Sequence, residues 1–354
     1  MFVHRTWYWA GWSHELKHKP MRRKFLGRHV VLFRDSAGIA HAVDALCPHR
    51  GADLSQGKVV DDCLQCPFHG MKFNTSGHCV EIPSQPPGER IPGNARVDVF
   101  FVKERDGIVW IWMDQQCKPD HEPPDCAVFS PSTKSHSHKF WTRHQKGDFA
   151  LTVETALEDS HVPFLHKATF AFPKVRVPPY RFEHHAGGRG FTAQYDRSAD
   201  WWIDTDLPSS RKLRKHVETI GDNQKAEWFM GGHVRQHFGG DTVAGIFVTP
   251  CDETHLWFSI ASAAANNTIT KKMLNAVGLS GLNLIANKVF DEDEDAIRDL
   301  ILTDRPGGLE RPVFQVSDAI CSEFRKMYRH YLQLEGREWA VPDAVNKEKR
   351  RAQI

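Results

Sequence analysis

The sequence predicts an α+β chain in two parts, on three observations. The first third carries short β-branched and aromatic runs cut by Gly, Asp and Pro. A loop-like stretch with four prolines then occupies residues 117–131. The remainder alternates strand-like runs with three helical patterns. A length of 354 residues allows about two domains, and a boundary inside the proline-rich stretch gives domains 1–116 and 117–354.

Val30-Val31-Leu32-Phe33 is an apolar strand ended by the turn Asp35-Ser36-Ala37-Gly38, and a strand resumes over residues 40–45. Residues 83–93 are punctuated by Pro and Gly. Residues 107–113 form a strong strand candidate, entered through Asp106-Gly107. In the second part, residues 148–160 lack Gly and Pro and place Phe149, Val153, Ala156 and Leu157 at helical spacing. Pro163 disfavours helical geometry at Val162, so this helix should stop near His161. Residues 180–262 read as strands with turns at Gly187-Gly188, Gly231-Gly232 and Gly239-Gly240. Residues 282–303 and 317–334 read as helices.

Charge is nearly balanced, with 46 basic and 44 acidic residues, which gives no reason to expect nucleic acid or anionic lipid as a partner. The basic run 347–351 reads as a solvated end. No signal-peptide pattern and no stretch of about 18 apolar residues occurs, so no membrane span is expected. Eight cysteines in such a chain point to a reducing compartment, and a cytoplasmic location is expected. The 21 histidines are the unusual feature, and their spacing has to select the functional ones.

Cys47-Pro48-His49-Arg50-Gly51 and Cys66-Pro67-Phe68-His69-Gly70 each pair a thiolate with an imidazole. A two-iron cluster of mixed ligation needs two thiolates on one iron, Cys47 and Cys66, and two neutral imidazoles on the other, His49 and His69. The rival is a structural Cys2His2 zinc site, but zinc modules usually keep two Cys on one knuckle and two His on the other. Cys63 and Cys79 have no matching spacing and read as plain thiols. Residues 47–51 and 66–70 resemble the ligand loops of the Rieske iron–sulfur family. The stretch from Trp7 to about Asp114 resembles the N-terminal domain of Rieske non-haem iron oxygenase α subunits. Met71 stands where many members have Trp.

An oxygenase needs a second site, with two His and one carboxylate on one face of Fe(II). His161 and His166 are five residues apart, about 140° on a continuous helix, and Pro163 supplies the bend that would bring them together. With Glu154 and Glu158 upstream, the segment resembles the family's iron-binding segment. The acidic run 291–295 offers five carboxylates. The apolar stripe of its helix (Leu282, Ala286, Val289, Phe290, Ile297, Leu300, Ile301) centres closest to Asp293; Glu294 lies at its edge and the other three point further away. Asp293 is the expected third ligand, with Glu294 in reserve. The family pattern, an apolar residue followed three later by an Asp ligand, points to the same residue.

The resemblance implies a homotrimer in which a carboxylate links a cluster histidine of one subunit to an iron-ligand histidine of the next. The matching position is Glu158, where most relatives have Asp; Asp159 is the alternative. Glu154 is a further carboxylate near the site, and Thr155 stands where many members have Asn. The resemblance also implies an α+β architecture: an all-β Rieske [2Fe-2S] domain, then a helix-grip catalytic domain, an antiparallel sheet around a long helix. The expected activity is O2-dependent hydroxylation or demethylation of a small aromatic or alicyclic compound. Ring cis-dihydroxylation, oxidation of a quaternary ammonium compound and simple electron transfer are the alternatives. The chain has no GxGxxG fingerprint, so NAD(P)H is expected to bind a separate reductase. Trp201, Trp202, Phe229, Phe238, Phe247 and Trp257 are candidate pocket residues.

Overall fold

The computed structural model describes residues 1–86, 88–158, 160–166, 180–195, 225–237, 242–268, 275, 279, 287–297 and 315–338. It divides into two compact units: His4–Thr133 with Thr249–Asp252, and Met1–Val3 with Lys134–Val248 and Glu253–Ile354.

The first unit is built on strands β1 (Trp7–Trp12), β2 (Met21–Phe25), β3 (Arg28–Arg34), β4 (Ala40–Asp44), β5 (Lys58–Val60), β6 (Cys63–Gln65), β7 (Lys72–Phe73), β8 (Cys79–Glu81), β9 (Val99–Arg105) and β10 (Ile108–Trp112). Six of them form one sheet in the order β1-β10-β9-β4-β3-β2, and β5 to β8 form a second in sequence order. The turn expected after β3 is present: Gly38 has φ +80° and donates its N–H to Asp35 O. Asp106 and Gly107 both have positive φ and join β9 to β10 as a two-residue hairpin, which suits the strand twist. Every residue of β10 is buried, and Trp112 sits opposite Trp7 with ring centroids 5.6 Å apart. This cross-strand aromatic pair helps to hold β1 to β10.

The proline-rich stretch packs with this unit, so its edge falls at Thr133 rather than at residue 116. The reason is a set of side chains that satisfy its backbone. Trp112 Nε1 donates to Cys117 O, Trp7 Nε1 to His121 O and Arg105 Nη1 to Pro123 O, while Asp106 accepts from Cys126 N. Composition marked a loop, but it could not show which unit held those donors.

The second unit contains β11 (His136–Lys146), α1 (Phe149–Leu157), α2 (Val162–Leu165), β12 (Tyr180–His184), β13 (Gly190–Tyr195), β14 (Lys225–Phe229), β15 (His233–His237), β16 (Thr242–Pro250), β17 (His255–Ala265), a helix α3 over residues 287–297, and α4 (Ala319–Leu334). The strands form one seven-stranded sheet in the order β11-β17-β16-β15-β14-β13-β12. Alternation along β14 and β15 turns Trp228, Val234 and Gln236 inward. Trp228 meets Phe324 of α4 edge-on at 5.1 Å, and Phe149 of α1 packs on Tyr328 of α4 at 5.4 Å. An antiparallel sheet carrying helices is the α+β arrangement the sequence predicted. At Gly232 (φ +81°) a Cβ would lie 2.2 Å from Val248 O and 2.7 Å from the Phe149 ring, so only glycine lets this turn pass under α1.

Helix α1 starts where expected, with Asp148 accepting from Leu151 N as N-cap. It stops at Leu157, not near His161. Glu158 is extended (φ −99°, ψ 138°), and its carboxylate accepts from Ser160 N. Pro163 does not end a helix here. It opens the one-turn helix α2, in the first turn, where its missing N–H costs nothing. The turn at Gly231-Gly232 is present, while that at Gly239-Gly240 and the two ends of the 282–303 helix lie outside the described residues. So do Asp159 and residues 347–351. Among the described residues no helix is long and apolar enough to cross a membrane.

One buried charge cluster makes the second unit acid-sensitive. Glu227 lies 2.6 Å from His237 Nε2, 3.4 Å from Arg235 Nη1 and 3.7 Å from Lys225 Nζ. Burial alone would raise its pKa, but the His237 hydrogen bond and the charges of Arg235 and Lys225 outweigh burial and hold it at about 2. A depressed folded-state pKa stabilises the protein above the unfolded value of 4.5, and that stability is lost as pH falls from there towards 2. The contribution is of order 3 kcal/mol. Wild type should therefore exceed E227Q in Tm at pH 7, and the gap should close between pH 4.5 and 2. A gap independent of pH would contradict this account.

Candidate metal centres

The first candidate centre is formed by two loops with the same hydrogen-bond frame. Cys47 O accepts from Gly51 N, and Cys47 N donates to Ala52 O; Cys66 O accepts from Gly70 N, and Cys66 N donates to Met71 O. Gly51 and Gly70 have φ +70° and +75°, the left-handed conformation that closes each loop. Both cysteines are buried, in a core with Val31, Phe33, Leu54, Leu64 and Phe73. Both histidines are exposed, with ring centroids 4.7 Å apart. Burial pushes the Cys47 thiol up to about 11, and the adjoining Cys66 adds to this. Two neighbouring buried thiols are costly as thiolates unless a metal supplies positive charge. The residues thus fit a cluster with buried sulfur ligands and exposed imidazole ligands. Cys63 and Cys79 are not in either loop; Cys79 Sγ is directed to Glu81 O.

The second candidate centre brings together three groups far apart in sequence. His161, His166 and Asp293 each offer one donor atom, and these atoms lie within 4.8 Å of one another. Asp293 Oδ1 is 3.0 Å from His166 Nε2 and 3.8 Å from His161 Nε2. That oxygen is buried and takes part in no hydrogen bond of good geometry, despite its closeness to His166. A carboxylate oxygen so placed between two imidazole nitrogens suits a cation with N and O ligands. The far nitrogens are also occupied. His161 Nδ1 donates to Glu158 Oε1 at 2.5 Å, and His166 Nδ1 to Glu292 Oε2 at 2.8 Å. Burial alone would lower both histidines, yet the surrounding carboxylates raise them: Glu158 and Asp293 for His161, Asp293 and Glu292 for His166. The pocket therefore attracts positive charge.

These geometries accompany matches over most of the chain. Residues 6–102 match the Rieske [2Fe-2S] domain, and residues 147–333, over half of the chain, match the vanillate O-demethylase oxygenase C-terminal domain. The chain belongs to the Rieske oxygenase family. This Rieske oxygenase chain is 39% identical, over 60% of its length, to a putative toluene-4-sulfonate monooxygenase system iron-sulfur subunit of Comamonas testosteroni. It is 35% identical, over 47% of its length, to the dicamba O-demethylase oxygenase component of Stenotrophomonas maltophilia. These matches span 59% and 48% of the two relatives. Its fold is that of crystalline dicamba monooxygenase bound to dicamba, with a TM-score of 0.72 at 21% identity over 95% of this chain and 99% of that one.

In the Rieske oxygenase chain the other expected residues are distributed as follows. Glu154 is buried, and Arg325 of α4 takes its carboxylate in a two-point ion pair, with Nη2 to Oε2 at 2.5 Å. That contact raises Arg325 and keeps it charged. Glu154 thus ties α1 to α4 instead of bonding either histidine. Glu294, the reserve ligand, lies 2.8 Å from Arg143 Nη2. Thr155 donates to Leu151 O within its own helix. Of the candidate pocket residues, Phe229 and Phe247 stack on opposite sides of His233, and Trp257 packs on His144. Trp201, Trp202 and Phe238 lie outside the described residues.

Sequence reasoning missed two residues. Gln236, buried on β15, donates from Nε2 to Ala156 O (2.9 Å) and Leu157 O (3.3 Å), satisfying the last carbonyls of α1 just before Glu158. Glu292 was expected to face away from the apolar stripe. No periodicity could have found it, because its partner His166 arrives from a different segment.

Proposed function

We propose that this chain is the oxygenase component of a Rieske system that uses O2 and reductase-supplied electrons to hydroxylate or oxidatively demethylate a small aromatic compound. The observation that carries this is the His161, His166 and Asp293 donor set in a chain that also has a Rieske domain. Two histidines and one carboxylate are the facial ligand set of oxygen-activating ferrous enzymes. Relatives named for toluene-4-sulfonate oxidation and for O-demethylation support the substrate class. When bound, the [2Fe-2S] cluster supplies single electrons and the ferrous ion supplies the site of O2 reduction.

In this reading Cys47 and Cys66 hold one cluster iron, and His49 and His69 the other. His161, His166 and Asp293 hold Fe(II), with Nδ1 of each histidine kept protonated by a carboxylate. The cluster-binding role is assigned to the first unit and catalysis to the second. Glu158 carries electrons between subunits of a homotrimer: Oε1 engages His161, and Oε2, now shared by Ser160 N and Oγ, has to accept a cluster histidine of the next copy. A separate NAD(P)H-dependent reductase and a cytoplasmic setting complete the proposal.

Iron and acid-labile sulfide in anaerobically purified protein test it. About three irons and two sulfides per chain with a Rieske spectrum are expected. Two irons and two sulfides persisting after Fe(II) reconstitution would leave an electron carrier and overturn the oxygenase reading.

A further inference from the structure

The acidic run of α3 divides its carboxylates among different partners. Arg143 of β11 donates from Nη1 to Asp291 Oδ1 (2.7 Å) and from Nη2 to Phe290 O (2.8 Å), and its Nη2 lies 2.8 Å from Glu294 Oε2. Trp141, two residues before it, stacks on Phe290 at 5.1 Å. These contacts hold α3 at one rotation about its axis. At that rotation Asp293 meets the Nε2 edges of both histidines, and Glu292 reaches His166 from the other side.

His166 is buried and stands between two carboxylates that want opposite tautomers. Asp293, 3.0 Å from Nε2, favours a proton there. Glu292, 2.8 Å from Nδ1, favours a proton on the far nitrogen. A neutral imidazole has one N–H, and only the Nδ1–H form leaves the Nε2 lone pair for a metal. His161 has the same arrangement with Glu158.

We propose that Glu292 is a positioning residue of the second metal centre, which sets His166 in the Nδ1–H tautomer, fixes its ring, and strengthens Nε2 as a donor. This rests on the reading of His161, His166 and Asp293 as the ligand set. An anionic acceptor on the outer nitrogen makes the imidazole a stronger base, and losing such a partner typically weakens metal binding about 10- to 100-fold.

The test is anaerobic equilibrium dialysis of the cluster-containing protein against Fe(II). E292A should bind the third iron about 10- to 100-fold more weakly than wild type. E292Q, which keeps an acceptor without the charge, should fall between them. D295N, which removes a charge from an exposed position of the same helix, should match wild type. The second readout is proton NMR of protein with Co(II) in the second site. Wild type should show two solvent-exchangeable, hyperfine-shifted N–H signals, one per Nδ1–H, and E292A should lose one of them. Unchanged Fe(II) affinity with both signals retained in E292A overturns the proposal. If E292A does not fold, E292Q decides it: wild-type affinity refutes the role and weaker binding supports it. Failure of wild type itself to take up a third iron would instead overturn the ligand set.

Discussion

Asp293→Ala should abolish second-site iron and with it turnover, while leaving the cluster spectrum intact. Among the described residues, Asp293 Oδ1 is the carboxylate oxygen that lies close to both Nε2 atoms. Removing a ligand should cost more than the 10- to 100-fold that loss of an outer hydrogen-bond partner costs, so iron affinity should fall by more than about 100-fold. The neighbouring E294Q separates the two carboxylates weighed from sequence. Glu294 is engaged by Arg143, so that variant should keep its third iron. Iron content of both variants after gel filtration is the measurement. A D293A protein with three irons, or an E294Q protein with two, would reverse the assignment.

Cys66→Ser should have the other large effect, on the first unit. Acid-labile sulfide should drop from about two per chain to near zero, and the red-brown colour with it. Because Cys66 is buried in the core of this unit, loss of the proposed cluster would also remove metal binding energy that helps to hold the unit folded. A fall in Tm of about 10 °C or more is expected. Cys63→Ser is the comparison: Cys63 is only half-buried and outside the ligand loops, so its sulfide content should equal wild type. Retained sulfide in C66S would exclude Cys66 as a ligand.

The cluster loops were legible because everything they need is local. A Cys, a His and a Gly within five residues specify both the donors and the turn, and the structure repeats that frame twice. The β-rich first unit was legible for a related reason, since alternation and Asp-Gly turns act over a few residues. His161 and His166 were paired from spacing, and their donor atoms do lie close together, although the backbone reaches them differently. The helix stops earlier, at Leu157, and Pro163 starts a turn instead of ending one. Local propensity cannot see that Gln236 caps the helix from a strand eighty residues on.

The acidic run shows where sequence reading stops. Helical periodicity picks Asp293 from five carboxylates because one rotation of a helix is set by its apolar stripe. It cannot tell what the remaining four do. Glu154 likewise looked like a metal-site carboxylate and is instead the partner of Arg325.

By itself, then, the sequence determined the family chemistry: two Cys–His loops, two histidines across a bend, and one inward aspartate. Only the tertiary structure decided which nitrogen of each histidine faces Asp293, which carboxylates hold the other nitrogens, and which unit claims the proline-rich segment. The physical reason is range. Turn chemistry and periodicity act within a few residues, whereas Arg143 with Asp291, His166 with Glu292, and Glu154 with Arg325 are contacts between segments more than a hundred residues apart. Their geometry exists only once the sheet and helices have packed.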